Sequence, residues 1–257
     1  MKSSLRKFKL KKGFKVFVLF VLGTVLISFI SRRQAQRVCR NIEVRIENQS
    51  ENHFVEENDI LALLSAGQND MLTGKRYAEI NLKKLEKEVR KNRFVNKVQI
   101  SHDYAGNMLV EVAQAKPVAR VLRSRGRDAY LGSDAEILPF SPRYTARVLL
   151  LEGPGARRLT TVDMEEDEQA KAIFDLVEYI NGHDFWRKMI THLYINEYGE
   201  ITMYPQIGKQ IIDFGTCEDA ELKFKKLNTF YTKIIPAKGW NRYSKITLKY
   251  NQQIICE

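Results

Sequence analysis

Apolar and polar positions alternate along this chain in three distinct rhythms. Val16–Ile30 (VFVLFVLGTVLISFI) is an uncharged, predominantly apolar run of fifteen residues. At ~1.5 Å per residue it makes roughly 22 Å of helix, and Phe14, Lys15 and Ser31 extend it to about 27 Å, near the ~30 Å hydrocarbon core of a bilayer. Cleavage as a signal peptide fits poorly, because cutting after Ser31 or Ala35 puts Phe29 or Arg33 three residues before the cut. A retained membrane helix over 16–31 is the expectation.

Beyond a basic spacer (32–41), Ile42, Val44 and Ile46 alternate with Glu43, Arg45 and Glu47, a half-buried strand. A helix is expected from Glu57 to Ala66 on Ile60, Leu61, Leu63 and Leu64, with Gly67 at its C-terminal cap. A second helix follows, capped by Asn81 and striped by Leu82, Leu85 and Val89. Phe94, Val98 and Ile100, a turn at Gly106, and Met108, Val110 and Val112 read as a hairpin. Strand, helix, helix, strand, strand makes one sheet with two helices on a face. From Pro117 onward the pattern shortens into many strands: around Tyr130–Gly132, Ala135–Pro139, Val148–Leu151, Leu193/Ile195, Ile201/Met203 and Ile211/Phe214. Helices interrupt them at Asp167–Ile180 and, after a Thr216/Asp219 capping box, at 217–234, where Pro236 is expected to stop the helix. Tyr243–Cys256 alternates as a final strand. The fold class is α+β: a membrane helix, a compact β-α-α-β-β unit (42–116) and a β-rich unit of short antiparallel strands with two helices (117–257).

Charge changes the picture at one end only. Residues 1–40 hold eleven Lys and Arg and no Asp or Glu, so 31 basic residues face 31 acidic ones in 41–257. The net charge of +11 therefore belongs to the membrane-proximal end, where it suits anionic head groups rather than nucleic acid. Seven of those cations precede the apolar run and four follow it. That bias keeps the tail (1–15) in the cytoplasm and places the bulk of the chain across the membrane.

Convergent catalytic chemistry is not visible. His53, His102, His183 and His192 have no metal-ligand spacing, and His183-Asp184 alone is a weak phosphohydrolase hint. Gly153-Pro154-Gly155 with Arg157 and Arg158 lacks the Lys-Ser/Thr of a phosphate loop, and its proline removes an amide donor, so it reads as a turn. Glu165–Glu168 suits the positive end of a helix better than a cation. Arg120, Arg123, Arg125 and Arg127 read as a solvated strand and loop, with anionic lipid or glycan as the other reading. Cys39, Cys217 and Cys256 form no CxxC; a Cys217–Cys256 pair is conceivable, and unpaired structural thiols are the favoured state. No cofactor or metal is expected.

The segment FVNKVQISHDYAGNMLVEVAQAKPVAR (Phe94–Arg120) resembles the end of a POTRA domain and its exit in the bacterial cell-division family FtsQ/DivIB. Pro117 and Ala119 stand where that pattern places them, and Gln114 replaces its usual acidic residue. Tyr130-Leu131-Gly132 with Ala135–Pro139 is similar to the family's hairpin, though without its turn glycine, and ITLKYNQQII resembles its last strand. The resemblance implies a non-catalytic divisome scaffold at the septum of the inner membrane, with its bulk in the periplasm. It implies FtsB-like and FtsL-like single-pass partners, FtsK and the septal synthase complex as further contacts, and control of septal peptidoglycan synthesis. A membrane-anchored cell-wall hydrolase and a POTRA-type chaperone are the rival readings.

The partner site is expected on the final strand, since only Glu257 follows Cys256 and a sheet edge accepts a partner strand. Ile246, Leu248, Tyr250 and Ile254 would form one face; Thr247, Lys249, Asn251 and Gln253 the other. Lys249 and Tyr250 match the family's basic-aromatic pair, which implies a partner carboxylate for Lys249 and an apolar contact for Tyr250.

Overall fold

The computed structural model describes residues 17, 19–25, 36–49, 52–66, 72–124, 126–164, 166–250 and 253–257. Most of the expected membrane helix, the basic tail, Gly67, Arg125, Glu165 and Asn251 lie outside the described residues. Phe17 and residues 19–25 are helical, and no helix among the described residues is long and apolar enough to cross a membrane. Two compact units emerge. One takes in the chain up to Glu47 with Val55–Ala113; the other takes in Asn48–Phe54 with Gln114–Glu257.

In the first unit, β1 (Ile42–Glu47), β3 (Met108–Gln114) and β2 (Val95–His102) form a sheet with β3 in the centre. β1 runs parallel to β3 in the register Ile42↔Met108 to Glu47↔Ala113. Alternation places Met108, Val110 and Val112 wholly inside. Helices α1 (Glu57–Ala66) and α2 (Leu82–Val89) bury Ile60, Leu64, Leu85 and Val89. Asn81 caps α2 by accepting from the Lys84 amide at 3.0 Å, as its position predicted. Along β2 the inward residue is Val95 rather than Phe94. Cys39 is completely buried, and burial raises its thiol pKa. Gly106, at φ 92°, closes the hairpin, where a Cβ would come within 2.7 Å of the Val38 carbonyl oxygen.

The second unit is built on nine strands: β4 (Pro117–Val121), β5 (Ala129–Gly132), β6 (Ile137–Pro139), β7 (Leu149–Glu152), β8 (Ile190–Ile195), β9 (Ile201–Pro205), β10 (Ile211–Gly215), β11 (Lys245–Thr247) and β12 (Ile255–Cys256). Their order across the sheet is β12-β11-β10-β9-β8-β7-β4-β5-β6. An all-antiparallel meander is corrected to a mixed sheet, because β4/β7, β7/β8 and β10/β11 pair in parallel. Parallel neighbours need crossovers, and helices supply two of these. Between β7 and β8 lie α3 (Pro154–Arg158), α4 (Glu168–Gly182) and α5 (Asp184–Met189). Between β10 and β11 lie α6 (Ala220–Thr229), a π-helical turn at Phe230–Ile234 and α7 (Ile235–Lys238).

Four local expectations change with this. Gly153-Pro154-Gly155 opens α3 rather than forming a plain turn, with Pro154 in the first helical turn where its missing N–H costs nothing. α5 is an additional helix, begun by Asp184, whose carboxylate holds Arg187 and Lys188 at 2.6 Å each. Asp219 sits at φ 52° before α6 and makes no side-chain cap, so the capping box does not form. Pro236 does not stop the helical run: the π turn re-phases the backbone, and Pro236 falls in the first turn of α7.

Phe214, Phe224, Leu227, Leu193, Ile201 and Met203 join residues of α4 and α5 in a core on one face of the sheet. The opposite face of β8–β10 carries His192, Tyr194, Thr202, Ile211 and Asp213, none of them buried. The β5–β6 turn lacks the family's glycine; Ala135 takes the left-handed conformation at φ 61° instead. Gln114, standing for an acidic residue, is buried: its Oε1 accepts from the Phe54 amide at 3.1 Å and its Nε2 donates to the Asn52 carbonyl at 3.0 Å. An ionised carboxylate could only accept. The Phe54 ring then stands edge-on to Tyr130 at 5.5 Å and Tyr144 at 5.0 Å.

Candidate partner-binding edge

The C-terminal segment folds back on itself. β11 pairs with β10 in parallel through Ile212↔Ile246 and Asp213↔Thr247, and Leu248 donates its amide to the Asp213 carbonyl at 2.9 Å. β12 returns antiparallel along the other side of β11, pairing Ile246↔Cys256 and Thr247↔Ile255. Main-chain bonds between Glu257 and Lys245 lengthen that pairing by a residue. The single strand expected over Tyr243–Cys256 is therefore corrected to a short hairpin. Its returning arm, β12, is the end of the sheet.

This return redistributes the predicted site residues. Ile246 and Leu248 are completely buried and Thr247 nearly so, which makes all three core or ladder residues. Ile254 packs partly against the same core, while Gln253 is exposed. Tyr250 stands 52% exposed, and Ile255 on β12 adds exposed apolar surface that the pattern reading did not single out. Expected to share one face with Ile246 and Leu248, Tyr250 leaves it because the chain departs from the strand after Leu248.

Lys249 is already partnered within the chain. Its Nζ lies 3.1 Å from Glu200 and 3.2 Å from Asp213, while Lys245 reaches Asp213 at 3.6 Å. The Glu200 carboxylate raises the pKa of Lys249, and Lys249 in turn lowers that of Glu200, helped by Asn196. Asn196 holds this arrangement in the β8–β9 turn: its Nδ2 donates to Glu200 at 2.9 Å, and its Oδ1 accepts from the amides of Tyr198 and Glu200. Gly215, at φ 77°, lets the Lys249 stem lie close, since a Cβ there would stand 2.8 Å from Lys249 Cγ. A partner carboxylate would thus have to join or displace an existing cluster.

Lys226 of α6 sets the position of the departing chain. Its Nζ donates to the carbonyls of both Leu248 and Tyr250 at 2.8 Å. Sequence pattern gave no notice of this clamp, because a helix-surface lysine looks the same whether it is solvated or bonded. Asn196 and Glu200, four apart around Gly199, offered a faint turn signal. The remaining histidines do not converge, and no group of metal-ligating side chains occurs among the described residues. What the geometry offers is a surface: two strand residues at the end of the sheet among the described residues, an exposed aromatic ring in the segment between β11 and β12, and a lysine-fixed approach.

Residues 37–113 match the model of the POTRA-like domain, and residues 116–257 match the model described as FtsQ/DivIB, C-terminal related. No curated protein matches the chain. The second match covers more than half of the sequence and takes in the whole β4–β12 sheet with its crossover helices. The chain belongs to the FtsQ/DivIB family of cell-division proteins.

Proposed function

We propose that this protein is a non-catalytic, single-pass membrane scaffold of the divisome. It uses the open side of β12, with Tyr250 and Ile255, to receive a strand of an FtsB-like partner held together with an FtsL-like one. The observation that carries this reading is that β12 ends the nine-stranded sheet among the described residues, with an exposed tyrosine in the segment that leads to it. Strand addition at such an edge takes affinity from main-chain bonds and selectivity from neighbouring side chains. Tyr250 supplies a rigid ring with a polar tip, the kind of residue that anchors interfaces. The apolar run of 16–31 tethers the chain, its cationic flank holds residues 1–15 in the cytoplasm, and both units extend into the periplasm. From there the scaffold links early division proteins such as FtsK to the septal synthase complex.

Co-purification of the tagged full-length chain from membranes tests this. The unaltered chain retains the FtsB-like and FtsL-like proteins. The double variant Tyr250→Ala/Ile255→Asp loses them by tenfold or more while keeping its thermal midpoint, on the scale of ~2 kcal/mol for an anchor residue. Full retention by that variant refutes the edge as the site.

A further inference from the structure

The second unit holds a groove far along the sheet from β12, at the end where three parallel strands begin. Pro117 opens β4, Leu149 opens β7 and Ile190 opens β8, and all three line a cleft of about 700 Å³. That volume lies within the roughly 300–1,000 Å³ of ligand-holding clefts. Four strand spacings of ~4.8 Å separate β8 from β12, so the cleft and the proposed partner edge are separate surfaces.

The polar lining is one-sided in charge. Lys116, Arg147 and Arg187 contribute cations from three different chain segments, and no Asp or Glu among the described residues lines the cleft. Arg187 is held by Asp184 at 2.6 Å. Lys116 and Arg147 are exposed and have no carboxylate partner among the described residues. Elsewhere in this unit Arg120 pairs with Asp128, Arg158 with Asp167 and Lys249 with Glu200, while exposed Lys225 and Lys238 have no carboxylate partner among the described residues. Asn181 spends its Nδ2 on the Val118 carbonyl at 3.0 Å, which leaves its Oδ1 free to accept, and Thr191 adds a hydroxyl. Val118 and Ile190 give the floor an apolar component.

We propose that this cleft binds an extended acidic peptide segment of a partner protein. Cations spread along a groove match several carboxylates in sequence, whereas one phosphate would call for donors converging on a point. The segment's amides would meet Asn181 and Thr191, and its apolar side chains the floor.

Fluorescence anisotropy with the full-length chain in detergent micelles and a labelled oligoglutamate peptide provides the test. Oligoglutamate binds in a salt-dependent way and oligoglutamine does not. Lys116→Gln/Arg147→Gln, which spares the fold, weakens binding by about tenfold, and the charge-reversed pair Lys116→Glu/Arg147→Glu abolishes it. Reversing Lys225 and Lys238, exposed on α6 and α7, leaves binding unchanged, as does Ile255→Asp on β12. Equal losses from the Lys225/Lys238 control overturn the proposal in favour of diffuse charge. Displacement by inorganic phosphate at equimolar sites overturns it in favour of a single-anion site. Binding of phosphatidylglycerol vesicles through Lys116 and Arg147, with no peptide bound, overturns it in favour of a membrane surface.

Discussion

Replacing Lys226 with methionine isolates the clamp on the C-terminal hairpin. The substitution keeps an unbranched apolar stem on α6 and removes the two donations to the carbonyls of Leu248 and Tyr250, each 2.8 Å long. A hydrogen bond to a charged group contributes ~1.5–3 kcal/mol, and partial exposure of the ammonium halves what two such bonds would give, to about 2 kcal/mol. Both carbonyls lie beyond the end of β11, so the loss falls first on the segment after β11, where Leu248 is the completely buried side chain, rather than on the rest of the sheet. A local cost of that size raises the opening equilibrium of the hairpin about thirtyfold, readable as faster amide exchange in a peptide spanning 248–257. Spread over the whole unit it would instead lower the thermal midpoint by roughly 6 °C. Exchange thirtyfold faster at the hairpin with a midpoint within ~2 °C is the expected result. Unchanged exchange there, or a uniform increase across the sheet, refutes the idea that Lys226 fixes this segment.

Gly153→Ala should destabilise the second unit by several kcal/mol in denaturant titration, because φ is 102° and the added methyl would collide with the Ile195 backbone. Asp167 caps α4 through the Ala170 amide and holds Arg158, and both lower its pKa. A carboxylate depressed on folding adds stability above its unfolded value of about 3.9, and that stability is lost as pH falls through the folded value; Asp167→Asn should therefore flatten the acid limb of the stability curve. The thiols should resist maleimide at neutral pH in the native chain and all react once it is unfolded, since Cys39 is buried and burial pushes Cys217 up to about 11.

Much of the fold was legible because its local rules do not conflict. Asn81 before a Leu82/Leu85/Val89 stripe, and Gly106 between two alternating runs, each admit one structure. Topology was harder. Periodicity marks Leu149–Glu152 and Ile190–Ile195 as strands, but parallel pairing depends on the crossover helices, and Asp184–Met189 is too short to announce itself. The C-terminal hairpin was hidden for a related reason. Alternation continues from Ile246 past Leu248, and the return to Ile255 contains neither glycine nor proline to mark a turn. Extending that register through Tyr250 puts it with buried Ile246 and Leu248, whereas the ring is exposed. Lys249 was legible as basic and beside an aromatic residue; that Glu200 and Asp213 would claim it required β10 to lie between β11 and β9.

Site-specific photocrosslinking in dividing cells tests the central claim most directly. A photoreactive residue is placed at Ile255 on β12, at Tyr250 beside it, and at Pro139 on β6, the opposite end of the sheet. Adducts that mass spectrometry identifies as an FtsB-like single-pass protein are expected from positions 250 and 255, and none from position 139. Adducts with that protein from position 139 alone, or none from the β12 edge while the protein still co-purifies, would contradict the claim.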